Sequence, residues 1–472
     1  MLKKNLDSAS GCEDGKGCSR FWPAPRRSLW CSMAIIVLLP VALAAQVAAP
    51  IGGPSPQATV YGSSYQVPLE FEGERTPANQ VSLSAGVATL YDDNVLGANS
   101  GRVSDEALSF DARLGIERRT KHLTLSFNYL PFFVLYRQIT GYDRTNHSAN
   151  LSLSYRLSSR LILGLQDNFY YQNGLYPTLT EQPILSGPPS PMGLNGIIIP
   201  YTVRTLANMS GLYLTFVKSR RTSLTLTGGY NQSKYGAGGQ RPNLPLYNGI
   251  GFSGGVTLQH YVTVHTNLGI LLLHQDTAYQ GGFIVGNRQR TQIESAYLSL
   301  ASAISPSVTV SLFGGPQYVR SIGPVSMAGS LAAHFEGSGG GSITKQVRKT
   351  ALDLAMLRSV TDGGGLYTSV INTRATLGAR RRLVGRWEGD LRVGAARENT
   401  SLFRFVNGEI QGLIGGVTIS RPLLSQGSVF HISYDSMHQV STGPLPIKVA
   451  DFDRNQIAVG FDYQLKGFGF GR

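Results

Sequence analysis

Between Val81 and Leu465 the sequence repeats one pattern: runs of about ten residues in which apolar side chains alternate with small or polar ones, each closed by a turn. From His122 to Tyr129, Leu, Leu, Phe and Tyr take the alternate positions, and from Ile457 to Leu465 the same spacing recurs. Successive side chains of a strand point to opposite faces, so a period of two indicates β-structure. The repeat therefore predicts an all-β chain whose strands each have one apolar face.

The N-terminal segment has the features of an export signal. Arg26 and Arg27 precede an uncharged apolar stretch from Met33 to Ala45, which is shorter than the roughly 20 residues of a spanning helix. Small residues near Ala44 form a plausible cleavage site. We expect residues 1–45 to be a cleaved signal peptide with an atypical N-terminal extension, which would direct the chain to the bacterial outer membrane.

The remainder divides into three parts. Residues 46–80 are rich in proline and are expected to be a periplasmic lead-in, extended or disordered. Residues 81–466 carry the strand pattern and form the predicted outer-membrane barrel, and residues 467–472 form a short C-terminal tail. All three cysteines precede residue 46, so the predicted mature chain contains no disulfide.

Composition supports a membrane barrel over a soluble β-protein. Charged residues make up 15% of the chain, against roughly 25% in soluble domains. The formal net charge is +14 and falls to +11 when residues 1–45 are removed. The arginines concentrate in short turns, and no basic cluster combines with stacking aromatics, which argues against nucleic-acid binding.

Short and long connections alternate along the chain, as a barrel with tight periplasmic turns and long extracellular loops requires. The predicted short turns lie at 118–121, 158–160, 218–221, 305–306, 337–341 and 380–382, and the long loops at 92–106, 137–147, 173–201, 233–249, 278–290, 398–407 and 441–452. We therefore predict a closed antiparallel transmembrane β-barrel of 18 strands, with both ends in the periplasm. The alternative is 16 strands, because residues 319–365 are glycine-rich and poorly patterned.

Three short segments resemble a known family. These are the run from Tyr91 to Val95 after the first strand, the run from Arg358 to Gly365, and the basic turn before Trp387. They are similar to segments of the β-barrel porin family related to outer-membrane proteins of exopolysaccharide gene clusters. The resemblance implies an outer-membrane barrel without established enzyme chemistry.

Two clusters of polar residues are candidate sites for metal binding or catalysis. Asp92, Asp93 and Asn94 offer oxygen ligands of the kind that calcium prefers, but they lack the spacing of a calcium loop, so a polar turn that caps a strand is the favoured interpretation. His431 and Ser433, with Asp435, could serve a hydrolase, but they lack a nucleophile motif. We predict no catalytic residue, no metal site and no cofactor.

Aromatic residues cluster where strands approach long loops. A girdle at the membrane interface is expected for residues of lipid-facing parity, such as Tyr129 and Phe169. Tyr170 has lumen-facing parity and is a candidate for sugar contact. The loop from Asn173 to Tyr201 could either fold inward to constrict a pore or remain outside as a binding surface, and constriction is slightly favoured.

The alternation also identifies residues that would line the lumen. The candidates are Asp111, Arg113, Glu117, Arg156, Arg374, Arg386, Glu388, Asp390, Arg392 and Asp462. The predicted function is a passive pore or an export conduit related to a polysaccharide pathway. The alternatives are a structural or adhesive barrel with partner-binding loops and an outer-membrane hydrolase. The expected partners are outer-membrane lipid and lipopolysaccharide, the barrel-assembly machinery during insertion, and small hydrophilic solutes or polysaccharide. The oligomeric state is left open.

Overall fold

The computed structural model describes residues 79–173, 203–237, 246–281, 288–322, 332–363, 367–399, 408–423, 427–443 and 451–469. By contacts the chain separates into two units, Met1–Val47 and Ala48–Arg472, and every described residue belongs to the second. The predicted signal peptide and residues 46–78 of the predicted lead-in therefore lie outside the described residues. Residues 79–80 of the lead-in and 467–469 of the predicted tail instead belong to the first and last strands. No helix within the described ranges is long and apolar enough to cross a membrane.

The described residues form 18 strands and one short 3-10 turn at Thr140–Tyr142. The strands are β1 (Asn79–Asp92), β2 (Asp105–Arg119), β3 (Leu123–Tyr136), β4 (Arg144–Arg156), β5 (Leu161–Asn173), β6 (Val203–Val217), β7 (Thr222–Ala237), β8 (Tyr247–Tyr261), β9 (Thr266–Gly281), β10 (Arg288–Ser305), β11 (Val308–Ile322), β12 (Ala332–Val347), β13 (Thr350–Gly363), β14 (Tyr367–Arg382), β15 (Glu388–Asn399), β16 (Glu409–Pro422), β17 (Ser428–Thr442) and β18 (Phe452–Gly469).

Each strand pairs antiparallel with its neighbours in sequence, and β1 also pairs antiparallel with β18. The closing ladder places Leu83 opposite Leu465 and Asp92 opposite Gln456. The sheet therefore closes on itself, so the backbone donors and acceptors of neighbouring strands can satisfy one another without water. The predicted closed antiparallel barrel and its count of 18 strands are confirmed.

Connections at one end of the barrel are short, and most of those at the other end are longer. We call these the short-turn end and the long-loop end. Residues 306–307 and 348–349 are two-residue connections at the short-turn end, whereas residues 93–104 connect β1 to β2 at the long-loop end. The exception at the long-loop end is the brief connection 364–366 between β13 and β14.

The predicted turn at Gly337–Gly341 is wrong, because these residues lie within β12. The turn falls instead at Arg348 and Lys349, where Arg348 adopts a left-handed φ of 50°. The glycines serve close strand packing: a Cβ added at Gly340 would lie 2.5 Å from the carbonyl oxygen of Met356. A glycine-rich run can therefore be a strand where the neighbouring backbone leaves no room for side chains.

Apolar side chains cover the outward face. Leu83 and Val87 on β1 are each 40% exposed, and Ile457, Val459 and Phe461 on β18 are 38–48% exposed. The residues between them, such as Ser84 and Asp462, face inward and are buried. Exposed apolar residues at every second position suit lipid contact on the outer wall.

The aromatic residues follow the predicted parity. Tyr129 and Phe169 share the outward face, and Tyr170 faces inward. Outside the barrel, the rings of Tyr129 and His147 stack with centroids 6.0 Å apart, and Tyr171 contacts the same imidazole.

A carboxyl group, that of Asp167, lies on the outer wall of the barrel. Asp167 on β5 lies in the outward set between Leu165 and Phe169 and is paired with Ser210 on β6. The Ser210 hydroxyl donates to Asp167 Oδ1 at 2.5 Å, and Asn208 Nδ2 lies 3.3 Å from the same oxygen. Neighbouring side chains therefore satisfy this carboxyl within the wall, as a polar group among lipid-facing residues requires.

Candidate functional site: the inner wall of the barrel

The predicted lining residues fall on the inward face of their strands, with one exception. Asp111, Arg113 and Glu117 lie on β2, Arg156 on β4, Arg374 on β14, Glu388, Asp390 and Arg392 on β15, and Asp462 on β18. Arg386 instead lies in the connection between β14 and β15, which ends at Trp387, and is not part of a strand. Its exposed position follows from the turn beginning at residue 383, slightly later than the sequence pattern indicated.

Two carboxylates converge on the inner wall next to the closing seam. Asp111 and Asp462 lie opposite Gly86 from either side, and each places Oδ1 2.4 Å from the position that a Gly86 Cβ would occupy. The two oxygens are therefore at most 4.8 Å apart. His431 Nδ1 lies 2.9 Å from Asp462 Oδ2, so a protonated imidazole would offset part of this negative charge.

A second charged group lies at the short-turn end of β14 and β15. Asp390 Oδ2 lies 3.0 Å from Arg380 Nε, and Oδ1 lies 2.8 Å from Arg392 Nε. Arg382 and Glu388 form a looser pair at 3.4 Å. Asp353 on β13 lies across Gly378 from Arg392 and interacts with both Arg392 and Arg380. Three guanidinium groups therefore face three carboxylates here, and the charges of this part of the wall are balanced.

The most buried charges lie at the long-loop end of the seam. Asp92, at the end of β1, is fully buried, and both of its oxygens lie 3.1 Å from Nε of Arg454 on β18. Gln456 Nε2 donates to Asp92 Oδ2 at 2.9 Å, and the Tyr136 hydroxyl donates to it at 3.1 Å. Arg144 Nη2 lies 3.8 Å from the same oxygen. One carboxylate thus joins side chains of β1, β3, β4 and β18.

The next two residues also bind β18. Asp93 accepts hydrogen bonds from the backbone N–H of Asn455 at 2.6 Å and from its side-chain amide at 2.7 Å. Asn94 donates to the carbonyl oxygens of Asp453 and Ala98. The polar trio weighed as a calcium loop therefore ties the first loop to the last strand. Within the described ranges no group of three His, Cys, Asp or Glu residues could hold a metal ion.

The candidate hydrolase residues share the inner face of β17 without forming a triad. His431 lies opposite Gly460 and faces Asp462, while Ser433 lies opposite Ala458. Ser433 and Asp435 are each 3% exposed. His431 and Ser433 form no hydrogen bond in the described part of the chain, so the geometry offers no activated nucleophile.

The seam network is not evident from the sequence because one member lies in a predicted loop and another lies before the predicted start of the last strand. Arg144 was placed in the loop 137–147, and Arg454 precedes the predicted start of the last strand at Ile457. The structure begins β4 at Arg144 and β18 at Phe452. Extending the alternation backwards from Ile457 puts Arg454 on the inward face, so the signal was present in the sequence.

The fold and its two faces define a class of protein: a transmembrane β-barrel of the outer-membrane type, with apolar side chains outside and polar and charged side chains inside. No protein-family model matches the chain, and no curated protein matches it.

Several solved structures share some likeness with this chain. They include the unliganded ferric citrate transporter FecA, at 9% identity over 83% of this chain and 79% of that one, with a TM-score of 0.43. Pseudomonas aeruginosa OccK2 (OpdF) has 12% identity over 82% of this chain and 98% of that one, with a TM-score of 0.41. The FrpB iron transporter of Neisseria meningitidis has 7% identity over 83% of each chain, with a TM-score of 0.44. Likenesses of this size carry no inference about function.

Proposed function

We propose that this protein is a passive pore for small hydrophilic solutes. The observation that carries the proposal is the closed ladder of 18 strands with opposite chemistry on its two faces. Lipid-facing residues such as Leu83 and Phe461 would hold the barrel in a bilayer, while Asp111, Arg392 and their neighbours would supply a wetted inner wall. A passive pore of this kind selects solutes by size and charge and requires no other chemistry from the protein.

The proposed location is the bacterial outer membrane, reached by export through a cleaved signal peptide and insertion by the barrel-assembly machinery. Outer-membrane lipid and lipopolysaccharide would contact the apolar wall. The support for this location is the architecture itself, since closed antiparallel barrels with outward apolar faces are the characteristic structure of that membrane.

The permeant class is part of the proposal. Small neutral solutes are favoured because the described charges inside the wall are mostly paired. Polysaccharide is the alternative suggested by the sequence resemblance, in which case the barrel would act as an export conduit. A structural or adhesive barrel is the rival from another class, and it is favoured by the near-complete burial of inward side chains at the long-loop end, such as Gln317 and Gln439.

Liposome swelling tests the proposal. Purified protein in liposomes is exposed to iso-osmotic solutions of arabinose, glucose, sucrose and longer maltodextrins. A passive pore admits the small sugars at rates that fall with size, whereas a structural barrel leaves the swelling rate equal to that of empty liposomes. Slow entry of small sugars together with uptake of long oligosaccharides would favour the polysaccharide conduit.

A further inference from the structure

The ladder between β12 and β13 stops early at the long-loop end. It runs from Val347 and Thr350 only to Gly339 and Arg358. The ladder between β11 and β12 continues to Ser321 and Ala332, and the β13–β14 ladder continues to Gly363 and Tyr367. Among the described residues, 359–363 of β13 and 367–372 of β14 therefore form no ladder pair with β12. We call this segment the inner hairpin.

On β13 and β14 the outward face contacts lipid near the short-turn end, but the same face is buried in the inner hairpin. Leu352, Leu354 and Met356 have outward parity on β13 and are 37–56% exposed. Val360 continues that parity but is 1% exposed. On β14, Leu377 is 45% exposed, whereas Ile371, of the same parity, is 5% exposed. Val360 and Ile371 are therefore covered by protein and are not in contact with lipid.

The surface that covers this face is the inside of the barrel wall. Val360 and Ile371 form a buried cluster with Ile293 on β10 and Val319 on β11, which both face inward. An outward-parity face can meet inward-facing residues only if the hairpin lies inside the barrel. Strand β14 correspondingly contacts β10, although three strands separate them in the sheet order.

Buried hydrogen bonds fix the hairpin in this position. Gln317, inward on β11 and fully buried, accepts from the backbone N–H of Val360 at 3.2 Å and donates to Ser295 Oγ at 3.1 Å. The Ser338 hydroxyl of β12 donates to the carbonyl oxygen of Arg358 at 2.9 Å. In a regular wall the N–H of Val360 and the carbonyl oxygen of Arg358 would bond the backbone of β12. Here they bond side chains on the inner surface of the barrel.

The burial of other inward residues shows where the barrel is narrow. At the long-loop end Gln172 on β5, Ile410 on β16 and Gln439 on β17 are at most 2% exposed. Nearer the short-turn end, inward residues such as Ser126 on β3 and Ser152 on β4 are partly exposed. Water therefore reaches the wall more readily at the short-turn end, and the inner hairpin lies at the restricted level.

We infer that the inner hairpin is the constriction of the pore and sets its size cut-off. The inference rests on the proposed function and adds to it the element that limits the permeant. The hairpin occupies part of the cross-section that the wall would otherwise leave free, and it is held by packing on β10 and β11 and by Gln317.

The direct test is a deletion that keeps the ladder between β12 and β13. Arg358 and Thr373 lie opposite each other, so replacing residues 359–372 by an Asn-Gly turn removes no pair to β12 and two pairs to β15, Ile371–Asn399 and Asn372–Glu398. The deletion variant should show a higher single-channel conductance and should admit larger sugars into liposomes. Conductance from the variant alone, with the unaltered protein silent, would also support the constriction. Removal of residues 99–101, which are exposed in the connection between β1 and β2, is the control and should leave the cut-off unchanged.

The outcomes separate the two proposals. A conducting protein whose deletion variant folds and keeps the same conductance and cut-off overturns the constriction but leaves the pore. Silence from both proteins, each folded as judged by heat-modifiable gel mobility, overturns the pore itself.

Cross-linking tests the seating of the hairpin even if the deletion variant fails to fold. The chain has only three cysteines, all within residues 1–31, so an engineered pair in the barrel meets no competing thiol there. The pair V319C and V360C should form a disulfide in the folded barrel, and the control pair V319C and M356C should not. Absence of the first cross-link under oxidising conditions would overturn the inward placement.

Discussion

Asp92 on the first strand and Arg454 on the last form a fully buried ion pair, with Nε of Arg454 3.1 Å from both carboxylate oxygens. This contact lies at the long-loop end of the ladder that closes the barrel. Removing Arg454 would leave Asp92 with only the more distant Arg144, at 3.8 Å, and breaking a buried pair typically costs about 3 to 5 kcal/mol. The seam is therefore the point where a single substitution should most weaken the closed barrel.

We expect Arg454→Met to lower the free energy of unfolding by about 3 to 5 kcal/mol, measured by urea unfolding of the barrel in lipid vesicles. The matched control is Arg102→Met, because Arg102 and Asp453 form a 2.9 Å pair that is 39% and 49% exposed. Exposed pairs contribute about 0 to 1 kcal/mol. Equal losses from the two substitutions would show that Asp92 and Arg454 do not hold the seam.

A charge on the outer wall should oppose membrane insertion. Phe461 faces outward on β18 and is 38% exposed, and Phe461→Arg near the middle of the bilayer is expected to cost about 2 to 4 kcal/mol. Asp462→Asn, at the next position and facing inward, is the control and should retain insertion. Both are scored by heat-modifiable migration after folding into vesicles. Normal insertion of the Phe461 variant would mean that the two faces are assigned the wrong way round.

The glycine run of β12 gives a prediction about backbone packing. A Cβ at Gly340 would lie 2.5 Å from the Met356 carbonyl oxygen, whereas a Cβ at Gly337 meets nothing within 4 Å. Gly340→Ala should therefore lower stability by about 1 to 3 kcal/mol through overpacking, and Gly337→Ala should stay within about 0.5 kcal/mol of the unaltered barrel. Comparable behaviour of the two variants in the same unfolding assay would argue against the close strand contact.

Ion selectivity should be weak and should favour anions. At the short-turn end Arg380, Arg382 and Arg392 are balanced by Asp353, Asp390 and Glu388. The weak preference is therefore expected from inward arginines elsewhere, such as Arg113 and Arg156. Solvated charges are screened within about 8 to 10 Å at physiological salt, so the preference should fade as salt rises. Reversal potentials in a salt gradient check this, with Arg380→Gln plus Arg392→Gln shifting selectivity toward cations. A clear cation preference in the unaltered protein would contradict it.

The strand count and the faces could be predicted because alternation is a local signal. Asp111 and Asp462 were placed on the inward face from their spacing alone, and the structure brings them together across Gly86. Their meeting could not be predicted without the register, since it depends on closure of β1 against both β2 and β18. The two-residue period of a strand identifies the face on which a side chain lies, whereas the register between paired strands determines which side chains become neighbours.

The inner hairpin lay beyond sequence reasoning for a different reason. Val360 and Ile371 are apolar residues of outward parity, and lipid and a buried cluster both suit such residues. The glycines of β12, which looked like a turn, mark the place where the ladder to β13 ends. The loop 173–201, favoured from sequence as the constriction, lies outside the described residues.

Single-channel recording in a planar bilayer, with the purified full-length barrel, tests the central claim most directly. The account predicts discrete conductance steps that are weakly anion-selective and enlarge when residues 359–372 are replaced by a two-residue turn. Bilayers that stay silent with both proteins, although each is shown to be folded and inserted, would contradict the claim that this barrel is a pore.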